Sequence, residues 1–144
     1  MKVNQLSVFL ENKSGRLVRV TKVLGENDIN IRALSIADTT DFGILRIIVS
    51  QPKEAYNLLK SEGFVVTETD VIAVCIPDKP GGLGQVLAVL EKESINIEYL
   101  YAFVGNTNTK NALVVFRVED CEKAVEVLKA NDISVVDGDK FYQM

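Results

Sequence analysis

The chain has 144 residues, 47% hydrophobic and 25% charged, an ordinary globular balance that excludes disorder and suits one average domain or two very small ones. Twenty acidic residues against sixteen basic ones give a net charge of −4, which argues against an electrostatic grip on nucleic acid. Histidine is absent, so the commonest proton shuttle and metal ligand is missing; no metal and no cofactor are expected.

Residues 5–10 alternate Leu6, Val8 and Leu10 with Gln5, Ser7 and Phe9, the period of a strand with one buried face. The run 11–15 breaks that strand, with Asn12 and Ser14 as helix N-cap candidates. Leu17, Val20 and Leu24 then recur at helical spacing, with Lys22 and Glu26 on the other side. Ile29-Asn30-Ile31 opens a second strand running toward Ala37, residues 38–41 make a turn, and 44–49 form a third strand. Pro52 suits the first turn of a helix carrying Ala55, Leu58 and Leu59; Gly63 ends it, and 64–66 form a fourth strand.

The same plan is then written again. With Gly15 placed over Gly81, 11 of the 27 positions from Val8 to Leu34 are identical, where roughly two would be expected from ordinary residue usage. Beyond Leu100 the offset grows from 66 to 69, matching Val49 to Val118 and Leu59-Lys60 to Leu128-Lys129, so a longer polar loop is expected around 105–110. The second set of elements is expected at 71–76, 81–93, 97–104, 112–118, 120–130 and 133–136. Two tandem βαββαβ units follow, spanning 1–70 and 71–144, each an α+β, ferredoxin-like antiparallel sheet with helices on one face. Residues 71–76 are apolar on both faces, so either the second face is covered, by the other unit or a second copy, or the strand sits centrally in a sheet whose open face is modestly apolar; a homo-oligomer, a dimer, is expected.

Cys75 and Cys121 form no C-x-x-C pair, and Cys75 sits in an apolar run as a small hydrophobe. No apolar stretch approaches the ~18 residues of a membrane span, and a reducing, cytoplasmic setting is expected. Tyr99, Tyr101 and Phe103 alternate on one strand face, to wall a ligand pocket or oligomer contact or else to line the sheet. The third strand of the second unit lacks the basic-glycine-aromatic signature of RNA-recognition modules.

Strand, Asn12-Lys13-Ser14-Gly15-Arg16-Leu17, helix, then Asn30-Ile31 opening strand two resembles the ACT domain, and Asp78-Lys79-Pro80-Gly81-Gly82-Leu83 with Asn96-Ile97 repeats it. The resemblance spans residues 5 to about 138. It implies a regulatory module that holds a small ligand, usually an amino acid, between two domains, rather than a catalyst. Carried over, the ligand-binding candidates are Asn12, Ser14, Gly15, Arg16, Leu17, Asn30 and Ile31 in the first unit. In the second they are Asp78, Pro80, Gly81, Gly82, Leu83, Asn96 and Ile97. It also implies action on an enzyme of amino-acid metabolism in trans.

Elementary chemistry agrees with such a site: a helix N-terminus attracts a carboxylate, glycine admits close backbone approach, and asparagine both donates and accepts. Structural readings stand beside it. Gly15 and Gly81 serve a sharp entry into a helix, Asn12, Ser14 and Asp78 serve as caps, and Asn30 and Asn96 make local hydrogen bonds. The turns also differ, Ser14 and Arg16 being replaced by Pro80 and Gly82, so whether one turn or both bind stays open. The competing functions are a ligand-free oligomerisation scaffold and a small enzyme, for which no nucleophile–base or phosphate-loop pattern is present.

Overall fold

Asn4–Thr69 form one compact unit and Met1–Val3 with Asp70–Met144 form a second, in a computed structural model that describes residues 1–11, 13–38, 42–103 and 110–144. In the first unit, β1 (Val3–Glu11) lies between β3 (Phe42–Val49) and β4 (Val65–Pro77), with β2 (Ile31–Asp38) outside β3. β1 and β2 both run antiparallel to β3. The alternation in β1 turns Leu6, Val8 and Leu10 toward Val20 and Leu24 of α1 (Arg16–Glu26) and Ala55 and Leu59 of α2 (Pro52–Ser61), and all seven are buried in one cluster. Pro52 occupies the start of α2, where its missing N–H costs no hydrogen bond.

The second unit repeats this at the expected offsets. Its helices are α3 (Gly82–Lys92) and α4 (Cys121–Ala130), and its strands β5 (Ile97–Ala102), β6 (Asn111–Val118) and β7 (Val135–Val136). The order is β7-β4-β6-β5, with the second half of β4 central. Ile72, Val74 and Ile76 pack against Val86 and Leu90 of α3 and Ala124 and Leu128 of α4. The backbone carries the duplication as well: left-handed residues recur at Gly15 and Gly81, Asp28 and Ser94, and Gly63 and Asp132.

Several expectations are corrected or bounded. Neither Ser14 nor Asp78 caps a helix: the N-caps of α1 and α3 are Gly15 and Gly81, and among the described residues neither helix start has a side-chain cap. Asp120 does cap α4, its carboxylate accepting from the Lys123 N–H at 3.1 Å. A five-residue helix, α5 (Gly138–Tyr142), extends the unit beyond the last expected strand. Its buried Phe141 meets Phe103 edge-on at 5.1 Å, while Tyr99 and Tyr101 stack at 6.5 Å, so the aromatic strip packs at least partly within the unit. Asn12, most of the turn at 38–41 and the loop residues 105–109 lie outside the described residues.

Candidate functional site

The turn entering α1 is built on backbone. The Lys13 N–H donates to the Glu11 carbonyl at 2.7 Å, the Arg16 N–H to the Lys13 carbonyl at 3.4 Å, and Gly15 sits at φ 90. A left-handed φ disfavours any residue with a Cβ, so here the glycine is required by the turn itself. Lys13 Nζ lies 3.0 Å from a Glu11 carboxylate oxygen and Arg16 3.7 Å from the same oxygen. That hydrogen bond from Lys13, with the charges of Lys13 and Arg16, holds the Glu11 carboxyl below its ordinary range. Arg16 is thus engaged by Glu11, a residue that sequence reading missed. Ser14 and Leu17 are exposed beside it.

The turn entering α3 has the same hydrogen bonds: the Lys79 N–H donates to the Pro77 carbonyl at 2.9 Å and the Gly82 N–H to the Lys79 carbonyl at 3.0 Å. Here glycine is required twice. Gly81 is left-handed at φ 83, and a Cβ on Gly82 would fall inside the contact radius of the Pro77 carbonyl oxygen. Gly81, Gly82 and Gly84 leave the first turn of α3 nearly bare of side chains, beside exposed Pro80 and Leu83. The first N–H groups of a helix have no intrahelical acceptor, so both turns present donors with a partial positive charge. Asp78 is exposed, and its N–H donates to the Lys110 carbonyl at 3.1 Å.

The asparagines sit elsewhere. Asn30 and Ser50 are joined twice: the Asn30 N–H donates to Ser50 Oγ at 3.0 Å, and the Ser50 N–H donates to the Asn30 carbonyl at 2.9 Å. Asn96 lines a polar cleft of about 740 Å³ with Asp70, Arg117, Glu119 and Asp120. Arg117 pairs with Glu98 at 2.9 Å and donates to the Asp70 carbonyl at 2.8 Å. Ile31 and Ile97 are partly buried and pack against the two cores rather than into open space.

Within one unit, turn and asparagine are therefore at opposite ends of the sheet. Ile31 pairs with Val49, whereas Glu11, which leads into the Gly15 turn, pairs with Phe42. Seven strand residues separate those points, about 23 Å at ~3.3 Å per residue. In the second unit the same spacing separates Val118, opposite Ile97, from Asn111, opposite Pro77. A molecule the size of an amino acid cannot touch both ends of one unit.

The family model described as an ACT domain pair matches residues 1–144. The chain belongs to the ACT domain family. A crystal structure of a Bacteroides thetaiotaomicron protein is similar to this ACT domain pair over 100% of this chain and 98% of that one, with 46% identity and a TM-score of 0.93. The regulatory subunit of aspartate kinase from Thermus thermophilus shares the fold at 15% identity and a TM-score of 0.64, covering 88% of this chain and 91% of that one. The corresponding subunit from Thermus flavus does so at 13% identity and a TM-score of 0.60, covering 88% and 90%. No curated protein matches the sequence at a significant level. Among the described residues of the ACT pair no helix is long and apolar enough to cross a membrane, and no cluster of acidic or cysteine side chains is arranged to hold a metal ion.

Proposed function

We propose that this ACT domain pair is a non-catalytic regulatory protein that binds a small molecule, an amino acid, and acts on a partner enzyme in trans. The observation that carries the reading is the pair of glycine-built turns, each opening a helix whose N-cap glycine supplies no side-chain cap, at a helix start where a carboxylate is stabilised. The ~23 Å separation of turn and asparagine within a unit supports a ligand shared between the turn of one unit and strand two of another. The candidates are those of the two motifs, with Gly15 or Gly81 at the carboxylate and Asn30 or Asn96 at the amino group. Related folds that carry the name of aspartate kinase regulatory subunits suggest the class of partner, an enzyme of amino-acid metabolism. A ligand can shift such a partner only through its different affinity for the two states.

The test is a thermal-shift panel of the twenty amino acids on the purified chain, with size-exclusion chromatography beside it. A ligand at one hundred times its Kd adds about 2.7 kcal/mol to stability, several degrees in Tm. One amino acid should give that shift, and Asn96→Ala or Asn30→Ala should abolish it while leaving the unliganded melt in place. Flat curves across the panel with unchanged assembly would overturn the reading in favour of a scaffold.

A further inference from the structure

The two units carry a hollow at the same place. In the first it is about 200 Å³, between the end of β1, the start of β3 and the residues that follow α2. In the second it is about 350 Å³, against α3, the end of β4 and the residues that follow α4. The walls correspond position by position: Phe9, Phe42, Phe64 and Val65 of the first become Cys75, Asn111, Ile133 and Ser134 of the second. The first unit sets a cation of its own against this wall. The guanidinium of Arg19, on α1, lies 5.4 Å from the centre of the Phe64 ring. It donates to the Glu62 carbonyl at 3.2 Å and lies 3.4 Å from the Glu62 carboxylate. Glu62 is the C-cap of α2, so a ring face, a carboxylate and the negative end of a helix hold one guanidinium together. A planar fork with five donors suits all three at once.

In the second unit the cation is gone and its surroundings are kept. Gln85 stands at the position of Arg19, a neutral amide in place of the guanidinium. Asn131, the C-cap of α4, stands where Glu62 does, and Asp132 stands where Gly63 does, so a carboxylate is still present one residue further along. Ile133 replaces the Phe64 ring with a smaller side chain, and the hollow is the wider for it. Among the described residues that line it, Asp132 is the only charged one. The amides of Gln85, Asn111 and Asn131 supply hydrogen-bonding groups, and Val86 and Val89 supply apolar surface. A carboxylate beside the negative end of α4, with no lysine or arginine on the wall, repels an anion and attracts a cation.

We infer that the hollow of the second unit binds a small organic cation, a guanidinium group on a short apolar stem, in the place that Arg19 fills in the first unit. Asp132 pairs with the guanidinium, amide and carbonyl oxygens at the end of α4 accept its remaining N–H groups, and the stem lies along Val86 and Val89. The site uses none of the candidate residues of the two ACT motifs, so its success or failure is separate from that of the amino-acid reading.

The probe is N-propylguanidinium, an arginine side chain cut free at Cβ, and the control is N-propylurea, its neutral counterpart of the same shape. In isothermal titration of the purified chain, N-propylguanidinium should bind at millimolar concentration or below, and N-propylurea at least about tenfold more weakly. Asp132→Asn keeps the shape and tolerates the left-handed backbone there, and it should weaken the cation about tenfold. Gln85→Arg supplies the missing guanidinium from the chain itself and should abolish binding. Melting curves confirm that both variants fold. Alkylation of Cys75, on the wall of the hollow, should slow when the probe is present, while Cys121, outside it, keeps its rate. A wild type that binds neither compound, or both alike, would overturn the inference. So would a folded Gln85→Arg or Asp132→Asn protein that binds N-propylguanidinium as the wild type does, or a Cys75 rate that the probe leaves unchanged.

Discussion

Gly82→Ala changes one methyl group at a place where the structure has no room for it. The added Cβ would overlap the Pro77 carbonyl oxygen, with the Pro77 carbonyl carbon at 3.2 Å and Ile76 Cγ2 at 3.5 Å. The carbonyl cannot swing aside freely, because it accepts the Lys79 N–H at 2.9 Å inside the same turn. Overpacking of this kind costs about 1–3 kcal/mol, and a clash with backbone belongs at the upper end. Replacing glycine in a helix returns at most about 1 kcal/mol, which leaves a net loss near 2 kcal/mol. At roughly 4 °C per kcal/mol for a chain of this size, Tm should fall by about 8 °C. Gly84→Ala is the internal control, since a Cβ there meets nothing within 4 Å. Helix propensity alone should raise Tm by ~2–4 °C at that position. Far-UV circular dichroism melts of both variants without ligand decide the matter: a Gly82→Ala protein melting at or above the wild type would refute the close-approach account.

Three further outcomes follow from other parts of the molecule. Asp120→Ala removes the carboxylate that accepts the Lys123 N–H at the start of α4 and should cost about 1 kcal/mol in urea unfolding, with Asp120→Asn close to neutral. Phe141→Ala empties a fully buried site against Phe103 and should cost ~3–5 kcal/mol, read as loss of α5 protection in hydrogen exchange. Burial pushes both thiols above their ordinary range, so Cys121 and Cys75 should react with an aromatic disulfide reagent more slowly in the folded protein than in urea. Since their folded values are raised, the stabilising contribution is complete at neutral pH and fades as pH climbs through the alkaline thiol range, which a pH series of melts would show.

The repeated pattern made the architecture legible. Apolar alternation at Leu6, Val8 and Leu10, helical recurrence at Val20 and Leu24, and the offsets of 66 and 69 each correspond to elements in place, because those signals come from residues that bury one face, whereas Leu17, on the same spacing, is exposed. The helix starts were less legible: Ser14 and Asp78 look like caps, but a left-handed glycine follows each turn and closes it with backbone alone. α5 escaped notice since five residues carry no periodic signal and Phe141 is held by a ring more than thirty positions away. Asn30 and Arg16 were legible as polar groups near the turns and strands, while their ties to Ser50 and Glu11 depend on strand register and on side-chain reach. The antiparallel pairing of β2 with β3 could have revealed Ser50, which lies one residue past Val49, the partner of Ile31.

Met1–Val3 belong to the second unit although they precede the first, and this sets an order of assembly during synthesis. Asn4–Thr69 are contiguous and can close as soon as Thr69 has left the ribosome. The three residues made before them must wait: Lys2 pairs with Asp70 at 3.9 Å and with Glu122 at 3.3 Å, and its carbonyl lies against the backbone of Gly138, which tolerates no side chain there. The second unit thus includes a piece of chain made before the first unit. Cleaving the gene at Thr69 would yield a second half missing the Val3 side chain and both Lys2 ion pairs, whereas a circular permutant that joins Met1–Val3 to the end of that half would restore them.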